Sequence, residues 1–541
     1  MHMMNTPLLL SSLIERAERY FPRKLVVSRT HTGIQRIPYA EIAKRTRRLA
    51  SALEKLGMKK GDRIGSFAWN HHRHLEAYFA VPCRGAVLHM VNIRLSEDHL
   101  AYVINHAEDK ILLVDVDLVP LIEKICDRLK TVEHFVIMSD SKTLPETTLY
   151  PVSSYEAILN EGDEDYPFLH GLDENAPAAM CYTSATTGYP KGVVYSHRGL
   201  YLHSMALGLA DNLGVCEQDV AMPVVPMFHV NAWGLPYAAA WFGATQVLPG
   251  PSFTPELLAG LIEKEKVTIT AGVPTIWIGM LKVLQEKQYD ISSLRLIVSG
   301  GAASPKGLIR AYEETYKVPF MTGYGMTETS PIVSVASLKS SMKDDTLDQI
   351  IETRGKTGLP VPGVEVKVVN EKGEVPWDGK TMGELTVRGP WIADEYYRDN
   401  SRHEAFKNGW LFTGDIAVID EEGYLKITDR TKDLIKSGGE WISSVELENA
   451  LMSHEAVFEA AVIAVPHPLW QERPLGCVVL KNGYENKVTA QVLKDYLKKQ
   501  FASWWIPDDI IFVKEIPKTS VGKFLKRALR EQLQNHYASA Q

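Results

Sequence analysis

Four short segments gather residue types suited to holding phosphates, a metal ion or a diol. In YTSATTGYPKG (residues 182–192) an apolar run precedes the hydroxyls of Thr183, Ser184, Thr186 and Thr187, followed by Gly188, Lys191 and Gly192. Such a loop can aim backbone N–H groups, hydroxyls and one ammonium at phosphate oxygens. It is not a Walker loop, since the G-x-x-x-x-G-K-[ST] spacing is absent and Pro190 precedes the lysine. Composition alone leaves a surface turn with solvated hydroxyls equally open.

In TGYGMTETSP (residues 322–331), Gly323 and Gly325 permit close backbone approach, Tyr324 offers a flat ring, and Glu328 offers a hard oxygen ligand suited to Mg²⁺. As G-x-G-x-x-G it fails, because Glu328 replaces the third glycine, and a plain strand-end turn stays open. In WLFTGD, Asp415 follows a Thr-Gly turn where a carboxylate could accept hydrogen bonds from a diol. A solvated aspartate is the commoner reason for such a residue. In PKTSVGKFLKRALR, Lys523 follows Gly522 and starts a basic helix; taken singly it is a solvated lysine.

The elements that must position these residues alternate in α/β fashion. Residues 39–56 carry apolar positions at helical spacing and stop before Gly57. The runs IGSFAW, KILLVDVD, AAMCYT, VAMPVV, TQVLPG, VTITAGV and LRLIVSGG are short, apolar and bounded by turn residues. Such runs suit parallel strands covered on both faces. From about residue 356 to 426, VEVKVV, GELTVRG and GYLKITD alternate with turns and suggest an antiparallel, β-rich region. The Gly pair in DRTKDLIKSGGEW marks a boundary, after which a new α/β pattern begins. The expected fold is mixed α/β: a large N-terminal domain over residues 1–431 and a small α/β C-terminal domain over 432–541.

With 541 residues the chain exceeds one compact core. A net charge of −7 gives no electrostatic reason to expect nucleic acid as a partner. The five cysteines stand at neither metal-ligand nor disulfide-framework spacing, which fits a reducing cytoplasm. No stretch approaches the ~18 apolar residues a membrane span requires.

Together and in this order, the four segments resemble the adenylate-forming superfamily of acyl-CoA synthetases, amino-acid adenylation domains and beetle luciferases. The resemblance runs from about residue 39 to 527. VVPMFHVNAW (residues 224–233) and KSGGEWISSVELENAL make it closest to medium- and long-chain fatty acyl-CoA synthetases. It implies that fatty acid, ATP and CoA become acyl-CoA, AMP and pyrophosphate through an acyl-adenylate. Thr183, Ser184, Thr186, Thr187, Gly188 and Lys191 would then wrap the ATP β,γ-phosphates. Thr327 and Glu328 would meet the α-phosphate and Mg²⁺, with Thr183 a second metal ligand. Thr322, Gly323, Tyr324, Gly325, Gly301 and Ala302 would frame the adenine, and Asp415 with Arg430 the ribose. Lys523 would reach the α-phosphate and the attacking carboxylate.

The resemblance also implies that the small domain turns about Lys432, bringing Lys436, Gly438, Gly439 and Trp441 to coenzyme A. His229 would border the acyl carboxylate, with Val230, Trp233 and Gly234 along the acyl tunnel and Trp233 placed as its gate. Without that context, His229 and Trp233 read as a core histidine beside a packed tryptophan. Most members have glycine where Ala185 stands. At positive φ, alanine adds strain of about 1 kcal/mol; at negative φ it stiffens the loop. Related synthetases are often homodimers, and peripheral membrane contact is compatible with the chain.

An amino-acid adenylation domain would place an aspartate after Phe228, where this chain has His229, Val230 and Asn231. Ligases for short, sulfur-containing (methylmercaptopropionate-like) or aryl acids share every motif. A luciferase-like oxygenase and an inactive nucleotide-binding homologue are remoter alternatives.

Overall fold

The computed structural model describes residues 3–183, 189–399, 405–437, 440–485, 487–518 and 524–537. The anticipated Ser184, Thr186, Thr187 and Gly188, with Ala185 among them, lie outside the described residues. So do Gly438, Gly439 and Lys523.

Among the described residues the strands form four sheets. In the first, Phe320–Gly325, Leu296–Ser299, Ile269–Gly272, Val220–Pro223, Thr245–Leu248 and Leu25–Arg29 lie side by side and parallel. Antiparallel strands close both of its edges. In the second, Asp109–Asp115, Arg63–Phe67, Val87–Met90 and Pro177–Tyr182 run parallel, and Gly192–Ser196 returns antiparallel beside Pro177–Tyr182. These strands are the apolar runs of the sequence, and Leu296–Ser299 and Ile269–Gly272 are buried throughout. Helices cover them: Tyr39–Lys55 buries Ile42, Leu49 and Leu53 on its apolar stripe and ends before Gly57, whose φ is +100°.

The third sheet is antiparallel and contains Glu365–Asn370, Gly383–Arg388, Trp410–Ile419 and Leu425–Arg430, the region whose alternation had suggested it. The fourth joins Ile435–Ser437, Glu440–Ile442, Val457–His467, Gln471–Leu480 and Asp509–Phe512. Helices such as Ser444–Met452 and Ala490–Lys498 pack with it around apolar cores of their own.

One element differs from the sequence expectation. The basic helix spans Lys526–Leu533 and does not begin at 523. Phe524 forms a β-bridge with Lys518, and Leu525 has φ −94° and ψ 71°, outside the helical region, so the helix starts only at Lys526. No helix among the described residues is long and apolar enough to cross a membrane.

Ligands of open parallel sheets gather outside the carboxyl ends of the strands. The motif glycines follow this rule: Leu296–Ser299 delivers Gly300 and Gly301, and Phe320–Gly325 carries Tyr324 at its end. The 182–192 segment leaves the end of Pro177–Tyr182.

Candidate active site

The base of the 182–192 loop is closed by two bonds. Thr183 N–H donates to the Lys191 carbonyl at 2.9 Å, and Lys191 N–H donates to Thr183 Oγ1 at 3.1 Å. The Lys191 ammonium lies 4.7 Å from the Tyr396 ring centroid and 3.8 Å from Asp399 Oδ2.

Thr327 and Glu328 sit in the turn Thr327–Thr329, which continues from Phe320–Gly325 through Met326. Gly325 is required there, because a Cβ would lie 2.0 Å from the Pro331 carbonyl oxygen. Both residues are buried. The Tyr195 hydroxyl donates to the Thr327 carbonyl at 2.9 Å, and the Tyr396 hydroxyl donates to Glu328 Oε1 at 2.6 Å. Among the described residues no group of three His, Cys, Asp or Glu side chains could hold a metal. The donors in this turn are one carboxylate and the Thr327 hydroxyl. That hard-oxygen set fits Mg²⁺, which binds through one or two carboxylates plus substrate phosphates and water.

Tyr324 and Asp415 come from different sheets and meet: the phenol donates to Asp415 Oδ2 at 2.5 Å. Asp415 pairs with Arg430 across neighbouring strands, with Arg430 Nε 3.4 Å from Oδ1. Gly414, at φ +72°, turns the chain just before it. Burial, then the Asp415 charge, push the Tyr324 phenol well above its ordinary range, so it stays a donor. Beside them Gly301 takes φ +80°, Ala302 is exposed, and the buried Thr322 hydroxyl has no partner among the described residues. Such a buried hydroxyl, beside glycines that admit a close ligand, fits a bound polar molecule.

The acyl segment has a backbone the sequence did not announce. Val230, Asn231, Ala232, Trp233 and Gly234 all lie at positive φ, between 46° and 75°, forming a left-handed turn. Side chains other than Gly and Asn pay about 1–2 kcal/mol per residue for this conformation. The residues leading into it are anchored, and the turn itself packs on its neighbours. Asn70 donates to the Pro223 and Val225 carbonyls at 3.0 and 2.9 Å and accepts from Met227 N–H at 2.7 Å. Trp233 rests against Gly300, where a Cβ would come within 3.1 Å of the indole. Gly234 packs on His203, which burial pushes down to about 3 and so keeps neutral. His229, half-buried, precedes the turn.

In the small sheet Lys436 pairs with Trp441; both side chains are exposed, as is Lys432. Lys436 N–H donates to Glu472 Oε2 at 2.8 Å. Sequence reasoning passed over Tyr195, Tyr396, Asn70 and His203, which act through contacts distant in the chain. A cavity of about 840 Å³ between the second and third sheets is lined by Met180, Val194, Ile392 and Leu411, but by none of the anticipated site residues.

A parallel α/β body, an antiparallel sheet bearing Asp415 and a Gly-Tyr-Gly-Met-Thr-Glu turn that meets it define a nucleotide-activating enzyme. The AMP-binding enzyme model matches residues 14–397 and its C-terminal-domain model residues 446–523; the chain belongs to the AMP-binding enzyme family. It is 51% identical, over 99% of this chain and 98% of the other, to a long-chain-fatty-acid–CoA ligase of Thermus thermophilus. It is 44% identical, over 98% of each chain, to a 3-methylmercaptopropionyl-CoA ligase of Ruegeria lacuscaerulensis. Among solved structures, the anthranilate CoA ligase AuaEII in complex with anthranoyl-AMP superposes with a TM-score of 0.88 at 26% identity, covering 99% of both chains.

Proposed function

We propose that the protein is an AMP-forming fatty acyl-CoA synthetase acting on medium- or long-chain acids. The observation that carries this reading is the 51% identity to a long-chain-fatty-acid–CoA ligase over 99% of the chain. The site geometry described above is compatible with it.

The chemistry requires two anions to meet. The acid's carboxylate attacks the α-phosphorus of ATP and pyrophosphate leaves; the CoA thiol then attacks the acyl carbonyl and AMP leaves. Cations and N–H or O–H donors must offset the charge that gathers between the reactants. In this reading Lys191 and the hydroxyls of the 182–192 loop hold the β,γ-phosphates. Tyr324 faces the adenine, and Asp415 takes the ribose hydroxyls with Arg430 beside it. Glu328, Thr327 and Thr183 would hold Mg²⁺, whose chemistry is to neutralise phosphate charge. Lys523 reaches the reacting carboxylate. The units 1–431 and 432–541 turn about Lys432 between the two steps, bringing Lys436 and Trp441 toward CoA. His229, Val230 and Trp233 border the acid. A homodimer belongs to the same reading.

One second reading has a specific observation behind it. The 44% identity to a 3-methylmercaptopropionyl-CoA ligase keeps a short sulfur-containing acid in play. Rates of AMP and pyrophosphate formation with ATP, Mg²⁺ and CoA, across C4 to C18 acids and 3-methylmercaptopropionate, separate the two. The highest kcat/KM is expected with a medium- or long-chain acid. A maximum at 3-methylmercaptopropionate would move the assignment, and no AMP with any acid would end it.

A further inference from the structure

Residues 393–399 link the two halves of the site and have no assigned part in it. This strap is bonded to the Glu328 turn on one side: Ala393 N–H donates to the Glu328 carbonyl at 2.8 Å and the Tyr396 hydroxyl to Glu328 Oε1 at 2.6 Å. It is bonded to the phosphate-loop hairpin on the other. Tyr397 N–H donates to the Gly192 carbonyl at 2.8 Å, and Asp399 and the Tyr396 ring face the Lys191 ammonium at 3.8 and 4.7 Å. Tyr396 thus touches Glu328 with its oxygen and Lys191 with its ring face.

We infer that Tyr396 is a positioning residue that orients the Glu328 carboxylate for a divalent cation, and that the strap couples this orientation to Lys191. The inference rests on the proposed metal role of Glu328. One feature of the phenol suits it to the task. A cation over an aromatic face draws electron density from the ring and so strengthens donation by the phenolic O–H. The hydrogen bond thus fixes one oxygen of the carboxylate, while the ring face lies against the Lys191 ammonium. Hydrogen bonds that orient metal ligands in this way typically change metal affinity or activity by about 10- to 100-fold when removed.

The test is Tyr396→Phe in the full chain. It deletes one oxygen and keeps the ring that packs edge-on against Phe406, centroids 5.2 Å apart. Two readouts apply: the Mg²⁺ concentration giving half-maximal ATP–pyrophosphate exchange, and Mn²⁺ binding with a non-hydrolysable ATP analogue, followed by the free-Mn²⁺ electron paramagnetic resonance signal. Both half-saturation values are expected to rise about 10-fold, with kcat largely recovered at saturating Mg²⁺. Unchanged or lower values overturn the inference, as does a kcat loss that saturating Mg²⁺ does not recover. Glu328→Gln separates the two levels. If it weakens Mn²⁺ binding while Tyr396→Phe does not, only the role of Tyr396 is lost. If it leaves Mn²⁺ binding unchanged, the metal role of Glu328 is lost as well.

Discussion

Tyr324 and Asp415 are 91 residues apart and share a hydrogen bond of 2.5 Å, joining the end of a parallel strand to the antiparallel sheet. Asp415 is the charged member and is buried, with Arg430 beside it. Asp415→Asn keeps the shape and removes the charge. Losing a charge-assisted hydrogen bond costs about 1.5–3 kcal/mol, roughly 10- to 100-fold in kcat/KM for ATP. Tyr324→Phe, which leaves the carboxylate in place, is expected to cost less. Steady-state kinetics in ATP check the order, and an Asp415→Asn enzyme with unaltered ATP dependence would remove Asp415 from the ribose role.

Gly234 ends the left-handed turn at φ +75°, and a Cβ there would stand 2.6 Å from two atoms of the His203 ring. Gly234→Ala adds left-handed strain of about 1–2 kcal/mol and overpacking of about 1–3 kcal/mol. Urea unfolding should show a loss of about 2–5 kcal/mol, with a raised KM for the acid. A variant as stable as the parent would mean that the turn yields freely.

These two cases show what the sequence carried and what it did not. The parallel strands were legible because Leu296–Ser299 and its neighbours are short buried apolar runs, a local property. The motifs were legible for the same reason, since Tyr324, Thr327 and Glu328 are adjacent in the chain. The Tyr324–Asp415 and Tyr396–Glu328 contacts were not, because they join residues 91 and 68 positions apart with no periodic signature. The left-handed turn was hidden because Val230, Ala232 and Trp233 intrinsically disfavour positive φ, and only tertiary packing imposes it.

A pH-sensitive cluster joins the third sheet to the helices that pack with the fourth. Lys526 is buried, 2.6 Å from Glu448 and 2.6 Å from Ser444 Oγ, with Asp429 also bonded to Ser444. One ammonium thus serves two buried carboxyls, and burial pushes Glu448 up to about 7. The folded state therefore holds a proton on Glu448 that the unfolded chain releases near its ordinary value of 4.5. Stability from this group falls as pH rises through the window from 4.5 to about 7. Thermal unfolding between pH 5 and 8 should show that decline, and Glu448→Gln should flatten it. An unchanged slope in Glu448→Gln would place the dependence elsewhere.

Lys523, within the segment PKTSVGKFLKRALR, is the proposed partner of the reacting carboxylate. Lys523→Ala is expected to lower the adenylation rate at least 100-fold while changing ATP affinity less than 3-fold, the pattern of a contact made in the transition state. Pre-steady-state pyrophosphate release and equilibrium ATP titration measure the two quantities. Equal losses in both, or none, would take the catalytic role away from Lys523.

Attack of the acid's own carboxylate on the α-phosphorus can be followed atom by atom. Decanoate or palmitate labelled with ¹⁸O in both carboxyl oxygens is incubated with the enzyme, ATP, Mg²⁺ and CoA, and the products are analysed by mass spectrometry. One ¹⁸O is expected in each AMP and none in pyrophosphate. ADP in place of AMP, or AMP free of label, would contradict adenylate formation and with it the proposed activity.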